Sequence, residues 1–297
     1  MKKYVIVTDT GSDLGKKYRE QFDIEYIPVH ISVDGVDSEA DLDWQFISAK
    51  GFYDAQREGK RFITAQVNVE GYKAAFKKYI EAGYDILSLS TSSSISASIN
   101  ASRVAKEELA KEYPDAKIYC IDTLRASYAL GLIVLRASEL RAEGKTIEEV
   151  AQWVEDNKQT VNMIGSVDSL VYLKRAGRVS AASAFFGGLL NIKPIIIADA
   201  QGRNFAVSKV KGRQTSIDRI AEMCAEAWEE KEYQRVFVAH ADCLEDAEKL
   251  KKAIFEKLGK EIEVEMDYIG LAVGSAVGPG MLSVFFFGKE VTLNKLA

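Results

Sequence analysis

The densest run of side chains able to do chemistry is Ser90-Thr91-Ser92-Ser93-Ser94-Ile95-Ser96-Ala97-Ser98, where seven of nine residues carry a hydroxyl. Hydroxyls donate and accept hydrogen bonds without bearing charge. A group of them therefore suits an anion that needs several donors, a carboxylate or a phosphate. A strand pattern enters the run and an amphipathic helix pattern leaves it. In a doubly wound α/β fold, ligands bind at the carboxyl ends of strands, and a helix N-terminus adds free N–H groups and a positive dipole end. Helix capping alone, or a serine-rich linker, are plainer readings of the same residues; the flanking elements favour an anion site. Arg61-Phe62-Ile63-Thr64-Ala65-Gln66-Val67-Asn68 precedes another helix pattern and offers Thr64 as a further hydroxyl, with a simple N-cap as the alternative.

Other catalytic patterns are missing or fail on inspection. Asp9-Thr10-Gly11-Ser12 matches the aspartic-protease triplet by letter. That chemistry needs two carboxylates sharing a proton, and the chain has no second such triplet. A loop lining a cleft, or a simple turn, is the expected role. No phosphate-binding P-loop, dinucleotide glycine motif or nucleophile elbow occurs. Two histidines, His30 and His240, leave little for a Ser-His-Asp triad. His30 lies in a strand pattern. His240 ends one, and either lines a site or is buried and hydrogen-bonded. Cys243 reads as packing. Phe185-Phe186-Gly187-Gly188-Leu189-Leu190 and Phe285–Phe287 read as plain core or as walls of a slot for a long, thin ligand, since glycines beside large apolar groups allow close approach.

These residues must be held by an ordinary folded chain. Its 297 residues, at roughly 100–200 per domain, make about two domains. Hydrophobic residues are 47% and charged residues 28%, which excludes a disordered or collagen-like chain. The net charge of −5 argues against nucleic-acid or anionic-membrane partners. Three scattered cysteines support neither a disulfide framework nor a zinc site, and a cytoplasmic location is expected. Met1–Asp9 is too short in apolar residues for a signal peptide and reads as a first strand. Ile269–Gly288 is uncharged and long enough to span a bilayer, but Gly278-Pro279-Gly280 interrupts it; a buried strand–turn–strand is expected.

Strand patterns fall at Tyr4–Thr8, Glu25–Val33, Asp85–Ser90, Lys117–Asp122 and Met163–Val167, then at Pro194–Ala198, Phe205–Val210, Arg235–His240, Glu261–Tyr268 and Ser283–Phe287. Helical spacing covers Ile99–Glu112, the long apolar Leu124–Ala142, a stretch opened by the Thr146/Glu149 capping box, the Ile217–Trp228 region, and a segment ending at Gly259. Asp34–Asp43 reads as a solvated acidic loop. The alternation implies an α/β protein: residues 1–160 as a mostly parallel sheet with covering helices, and residues 161–297 as an α+β domain.

In order along the chain, several segments resemble the DegV family of bacterial fatty-acid-binding proteins. They are Asp9-Thr10-Gly11-Ser12-Asp13-Leu14, Thr64-Ala65-Gln66, Ser92-Ser93-x-Ile95-Ser96, Asp122-Thr123, Tyr172–Ser180, Gly188–Pro194, Lys209-Val210-Lys211-Gly212-Arg213, His240-Ala241-Asp242 and Gly274-x-x-x-Gly278-Pro279-Gly280. The resemblance implies two α/β domains with one long-chain fatty acid in an apolar tunnel between them. It implies that Thr64 and Ser93, with Ser92 and Ser96, hold the carboxyl group, and that Thr10, Phe185, Phe186, Leu189, Gly278 and Phe286 line the tunnel or cleft. It implies no catalysis, cofactor or metal, but a separate ATP-dependent fatty acid kinase that takes the bound acid to an acyl phosphate, with Lys209 and Arg213 facing that partner. The family's head-group histidine is Ala276 here, and its Thr-Ser-Gln-Pro-Ser motif is Thr64-Ala65-Gln66-Val67-Asn68; a glycine of the serine loop is Ala97. The alternative is a serine-dependent acyl hydrolase or transferase using Ser93.

Ten buried methylenes are worth up to about 8 kcal/mol, against about 1.5–3 kcal/mol per hydrogen bond to a charged carboxylate. The tail should therefore supply the affinity and the head group the orientation. With no cation in view at the head group, a buried carboxyl should be partly protonated.

Overall fold

Continuous apolar runs become strands covered on both faces. The computed structural model describes residues 2–178 and 191–293. Its strands are β1 (Tyr4–Asp9), β2 (Ile24–Ile27), β3 (Val29–Val33), β4 (Val36–Ala40), β5 (Phe62–Ala65), β6 (Asp85–Ser90) and β7 (Ile118–Asp122), then β8 (Val161–Ser166), β9 (Ile192–Ala198), β10 (Asn204–Lys211), β11 (Phe237–His240), β12 (Glu265–Tyr268) and β13 (Leu282–Phe287). The helices are α1 (Lys16–Phe22), α2 (Ala49–Arg57), α3 (Val69–Glu81), α4 (Ser98–Glu112), α5 (Tyr128–Ala142), α6 (Ile147–Asn157), α7 (Leu170–Ala176), α8 (Arg213–Ala227), α9 (Leu244–Leu258) and α10 (Leu271–Val277).

β1 and β6 are buried along their whole lengths, the mark of central strands in a parallel sheet. That sheet runs β2-β1-β6-β7 with every pair parallel. A small antiparallel sheet, β4-β3-β5, stands beside it. The third sheet is mixed, in the order β10-β9-β8-β13-β11-β12, antiparallel except for the β11–β12 pair. Its strands all come from residue 161 onward, and those of the first two sheets from residues up to 122.

Helix α5 joins the halves. It is buried on nearly every side, as its unbroken apolar sequence requires, and it touches β1 and β6 on one side and β8 and β13 on the other. Its first residue, Tyr128, stacks on Phe237 at 4.5 Å between ring centroids and meets Phe285 edge-on at 6.0 Å. The major hydrophobic cluster therefore runs through both halves, while a second cluster fills the far face of the mixed sheet under α8 and α9.

Several segments differ from their sequence pattern. Pro28 splits the expected Glu25–Val33 strand, so β2 joins the parallel sheet and β3 the small one. Asp34–Asp43 is not simply a solvated loop: β4 pairs with β3 across a turn at Asp34-Gly35, both with positive φ, and Ala40 is fully buried. The uncharged Ile269–Gly288 stretch is helix–turn–strand: α10 precedes the Gly278-Pro279-Gly280 turn and β13 follows. No described helix is long and apolar enough to cross a membrane.

The capping box at α6 is formed as its residues imply. The Thr146 hydroxyl accepts from the Glu149 N–H at 3.2 Å, and the Glu149 carboxylate accepts from the Thr146 N–H at 2.8 Å. Thr146→Ala should lower the free energy of unfolding by about 1 kcal/mol, measured by urea denaturation; an unchanged midpoint would mean that α6 is held by packing alone.

Candidate functional site

In the parallel sheet the chain leaves β1 toward β2 on one side and leaves β6 toward β7 on the other. The carboxyl ends of β1 and β6 are thus the topological switch point, where a crevice must open. Asp9 ends β1 there and is buried. Its Oδ1 accepts from the Gly11 N–H at 2.8 Å and the Thr91 hydroxyl at 2.6 Å, and its Oδ2 accepts from the Thr91 N–H at 2.9 Å. Burial pushes this carboxyl above its ordinary range, while the Thr91 and Gly11 donors pull it back. A Cβ on Gly11 would lie 2.1 Å from the Thr91 hydroxyl, so this clamp requires glycine.

The serine loop that follows β6 divides its hydroxyls. Ser92 donates to the Gly202 carbonyl at 2.8 Å and Ser94 to the Gln201 carbonyl at 2.6 Å. The Asn204 amide donates to Arg178 O at 2.9 Å, and Arg178 Nε to Ile95 O at 3.2 Å. These contacts clasp the serine loop of the first half to the β9–β10 turn of the second. Arg125, fully buried in the loop after β7, makes the deepest such tie. Its Nε donates to Val161 O at 2.6 Å, and its terminal nitrogens donate to Leu124 O, Asp199 O, Gln159 O and Gln159 Oε1. All of these acceptors are uncharged. Burial lowers the guanidinium to about 10, with the Asp199 carboxylate opposing.

Behind the clasp lies a cavity of about 650 Å³, within the range of small-molecule sites. Its lining draws on both halves. The apolar part includes Val29, Met163, Val273, Val277, Met281 and Phe285; the polar part includes Thr64, Gln66, Ser93, Ser96, Arg125 and Arg178. Met163 and Phe285 are register partners on β8 and β13 and present the same face of the mixed sheet.

Thr64, Ser93 and Ser96 all line this cavity. Thr64 is on β5, not at a helix N-cap; Asn68 caps α3. Neither Thr64 nor Ser93 gives its hydroxyl to a described partner, whereas the Ser96 hydroxyl lies 3.0 Å from that of Ser98. Ser92 is placed otherwise, its hydroxyl turned to Gly202. Thr10 is buried beneath the site, donating to Ala40 O at 2.8 Å and accepting from the Val29 N–H at 3.0 Å. Phe286 faces away from the cavity. Strand alternation sends its ring to the far side of β13, stacked on Trp228, and it is Phe285 that faces inward. Gly278, at φ +75°, packs under Tyr172, whose ring would lie 2.4 Å from an added Cβ; its neighbour Val277 does the lining. Phe185, Phe186 and Leu189 lie outside the described residues.

Lys209 is exposed on the edge strand β10. Arg213 is not a free surface charge: it begins α8, with Nε on Asp246 at 2.8 Å and a terminal nitrogen on Cys243 Sγ at 3.2 Å. His240 is buried, its Nδ1 accepting from the Cys243 N–H at 3.3 Å and its ring 4.5 Å from that of Tyr268; burial lowers its pKa. Cys243 is held by packing, its thiol pushed up to about 11 by burial. Arg125 and Arg178 place two cations in the cavity wall that residue pattern alone did not bring to the site. The missed signal for Arg125 was a lone cation just past the carboxyl end of a strand.

One buried acid beside the cavity has a measurable consequence. Ser127, on the cavity wall, donates to Asp13 Oδ2 at 2.5 Å. Burial pushes Asp13 up to about 7, with the Ser127 hydrogen bond opposing. The folded protein keeps this proton in a range where the unfolded chain has lost it. Stability from this group is complete below about pH 4 and falls as the pH rises to about 7. Asp13→Asn should flatten that slope and raise stability at pH 8 by up to about 4 kcal/mol. Urea unfolding at several pH values checks this; an unchanged slope would move the effect to another buried acid such as Asp9.

Comparison with known proteins covers nearly the whole chain. The model of the family described as "Uncharacterised protein, DegV family" matches residues 3–289. A DegV domain-containing protein of Clostridium perfringens is 39% identical over 288 residues, 97% of this chain and 98% of its own length. Among solved structures, one described as showing fatty acid binding of a DegV family protein from Thermus thermophilus superposes with a TM-score of 0.86 at 25% identity, covering 97% of this chain and all of that one. A second, described as DegV, a fatty acid binding protein from Bacillus subtilis, superposes with a TM-score of 0.81 at 27% identity and the same coverage.

Proposed function

The chain belongs to the DegV family, and from that membership we propose that it binds one long-chain fatty acid, with the carboxyl group at Thr64 and Ser93 and the acyl chain along the apolar wall. The observation that carries this reading is the pairing of two hydroxyls without described partners and a deep apolar lining in one cavity. In this reading residues 1–160 and 161–297 act as two domains, each contributing one side of the ligand's enclosure. The tail supplies most of the affinity, about 0.8 kcal/mol per buried methylene, and the hydroxyls set the orientation.

The carboxyl group is read as ionised. Arg125 stays charged at neutral pH despite its burial, and Arg178 adds a second cation to the wall. Positive charge nearby favours the carboxylate. The protein performs no chemistry in this proposal and holds the acid for a separate ATP-dependent kinase. Ala276, at the position of the family's head-group histidine, also borders the cavity, so the arginines carry the role of countercharge. A hydrolase built on Ser93 has less support: the described lining contains no histidine, and His240 is committed to Cys243 and Tyr268.

Solvent extraction and mass spectrometry of the gently purified protein should release about one fatty acid per chain; a protein free of lipid that also fails to take up palmitate would refute the proposal. Thr64→Ala combined with Ser93→Ala should weaken palmitate binding by about 3 kcal/mol, roughly a hundred-fold, and spare the fold. Undiminished affinity would place the head group elsewhere. Carbon-13 NMR of carboxyl-labelled palmitate should show a carboxylate at neutral pH; a protonated signal would remove the arginines from the account.

A further inference from the structure

A separate cavity, of about 570 Å³, lies where α1 and the loop after β4 meet β12. It sits on the seam between the two halves, a preferred place for ligand sites. Its described lining includes five carboxyl residues, Asp13, Asp41, Asp43, Glu265 and Asp267, against two lysines, Lys16 and Lys17. Tyr18, Trp44, Tyr128 and Tyr268 stand among them. Acids and aromatic rings in one concave wall suit an organic cation.

The partners of these acids show which charges are unspent. Asp43 is paired with Arg19, and Glu265 with Arg235 and Lys17. Asp41 accepts from the N–H groups of Asp43, Gln45 and Phe46 but has no described ion pair. Asp267 also has no described ion pair; it accepts from the Tyr268 N–H at 2.7 Å and helps to keep the Tyr128 phenol protonated. Asp13 is buried and divides its oxygens between two cavities. Its Oδ2 takes the Ser127 hydroxyl on the wall of the larger one, while its Oδ1 is buried without a hydrogen-bond partner. That Oδ1 stands against Gly270, which lines the present cavity: a Cβ there would lie 2.5 Å from it. The Gly270 N–H is close enough to oppose the rise in the Asp13 pKa but forms no hydrogen bond of good geometry. A buried acceptor left open costs free energy until a donor reaches it. The chain itself shows how an ammonium sits here. Lys17 Nζ lies 3.4 Å from Glu265 and 5.0 Å from the centroid of the Tyr18 ring. Trp44 and Tyr268, half-buried with centroids 6.0 Å apart, offer rings of the same kind, and Tyr268 adjoins Asp267.

We propose that this cavity binds an aliphatic diamine, with one ammonium between Asp13 and Asp267, the second toward Asp41, and the methylenes against Trp44 and Tyr268. Three carboxyl groups without a described ion pair call for more than one positive charge, which is why a diamine fits better than a monoamine. The proposal does not rest on the fatty-acid reading.

The test is calorimetry of the full chain with putrescine, with butylamine and with the uncharged 1,4-butanediol. Putrescine should bind the wild type about ten-fold or more tightly than butylamine, and butanediol should not bind. Asp267→Asn and Trp44→Leu, each checked for folding by circular dichroism, should each weaken putrescine by roughly ten-fold. Asp13 faces Asp9, Asp267, Tyr53 and Tyr128, and an ammonium beside it favours its carboxylate. Putrescine binding at pH 7 should therefore release up to about half a proton, read from the heats in two buffers of different ionisation enthalpy, and Asp13→Asn should abolish that release. Failure of putrescine to bind at millimolar concentration overturns the proposal. So does equal binding by the wild type, Asp267→Asn and Trp44→Leu, which would mark attraction to the acidic surface in general, and so does binding that butanediol matches. Palmitate uptake by the same chains is a separate readout: its absence refutes the fatty-acid reading and leaves the putrescine result to decide this one.

Discussion

The cavity exists because two parallel strands end side by side and a buried carboxylate holds their ends in place. Asp9 spends its acceptors on the Gly11 N–H and on the N–H and hydroxyl of Thr91. A carboxylate removed from water costs free energy unless donors replace the water; here they do, and the price is a raised pKa. The clamp fixes where the serine loop leaves β6. With Ser92 and Ser94 tied to the β9–β10 turn, Ser93 is the loop hydroxyl left without a described partner at the cavity.

The enclosure depends on both halves. The parallel sheet contributes the crevice, the small antiparallel sheet contributes Thr64 on β5, and the mixed sheet contributes Met163 and Phe285. Arg125 crosses between halves with a buried charge whose hydrogen-bond acceptors are neutral groups. A buried guanidinium satisfied in this way keeps its geometry while its charge remains available to the cavity beside it. Polar ties of this kind are directional, so they fix how the halves meet; apolar packing along α5 supplies most of the adhesion.

Charge is distributed unevenly around the wall that two cavities share, the one of about 650 Å³ and one of about 380 Å³ that also touches Thr64, Arg178 and Ala276. On the side of the larger cavity the described lining carries the cations Arg125 and Arg178, both already hydrogen-bonded to backbone carbonyls, together with the buried Asp9 carboxyl. On the opposite side Arg61 and Arg175 stand open.

Much of this was legible from the chain itself. Apolar runs such as Tyr4–Thr8 and Asp85–Ser90 marked the central strands because burial on both faces demands continuous hydrophobicity. The Thr146/Glu149 spacing marked a helix start, and the hydroxyl-rich segment marked the loop at the strand end, because these are local properties of neighbouring residues. Which hydroxyls face the cavity was not local. Ser92 and Ser93 are adjacent in sequence, and only the distant Gly202 carbonyl takes one of them out of the site. Likewise Phe285 and Phe286 are equivalent as letters, and the pairing of β13 with β8 decides which points inward. The ordering of β1 and β6 as neighbours, the crossing of Arg125 into the second half, and the gathering of Arg61 with Arg175 all join residues tens of positions apart. Residue type and spacing marked most of the elements, though not the break at Pro28, the strand β4 or the helix α10; long-range packing alone decided which side chains share a cavity, because that depends on how sheets and helices meet and leaves no periodic trace in the sequence.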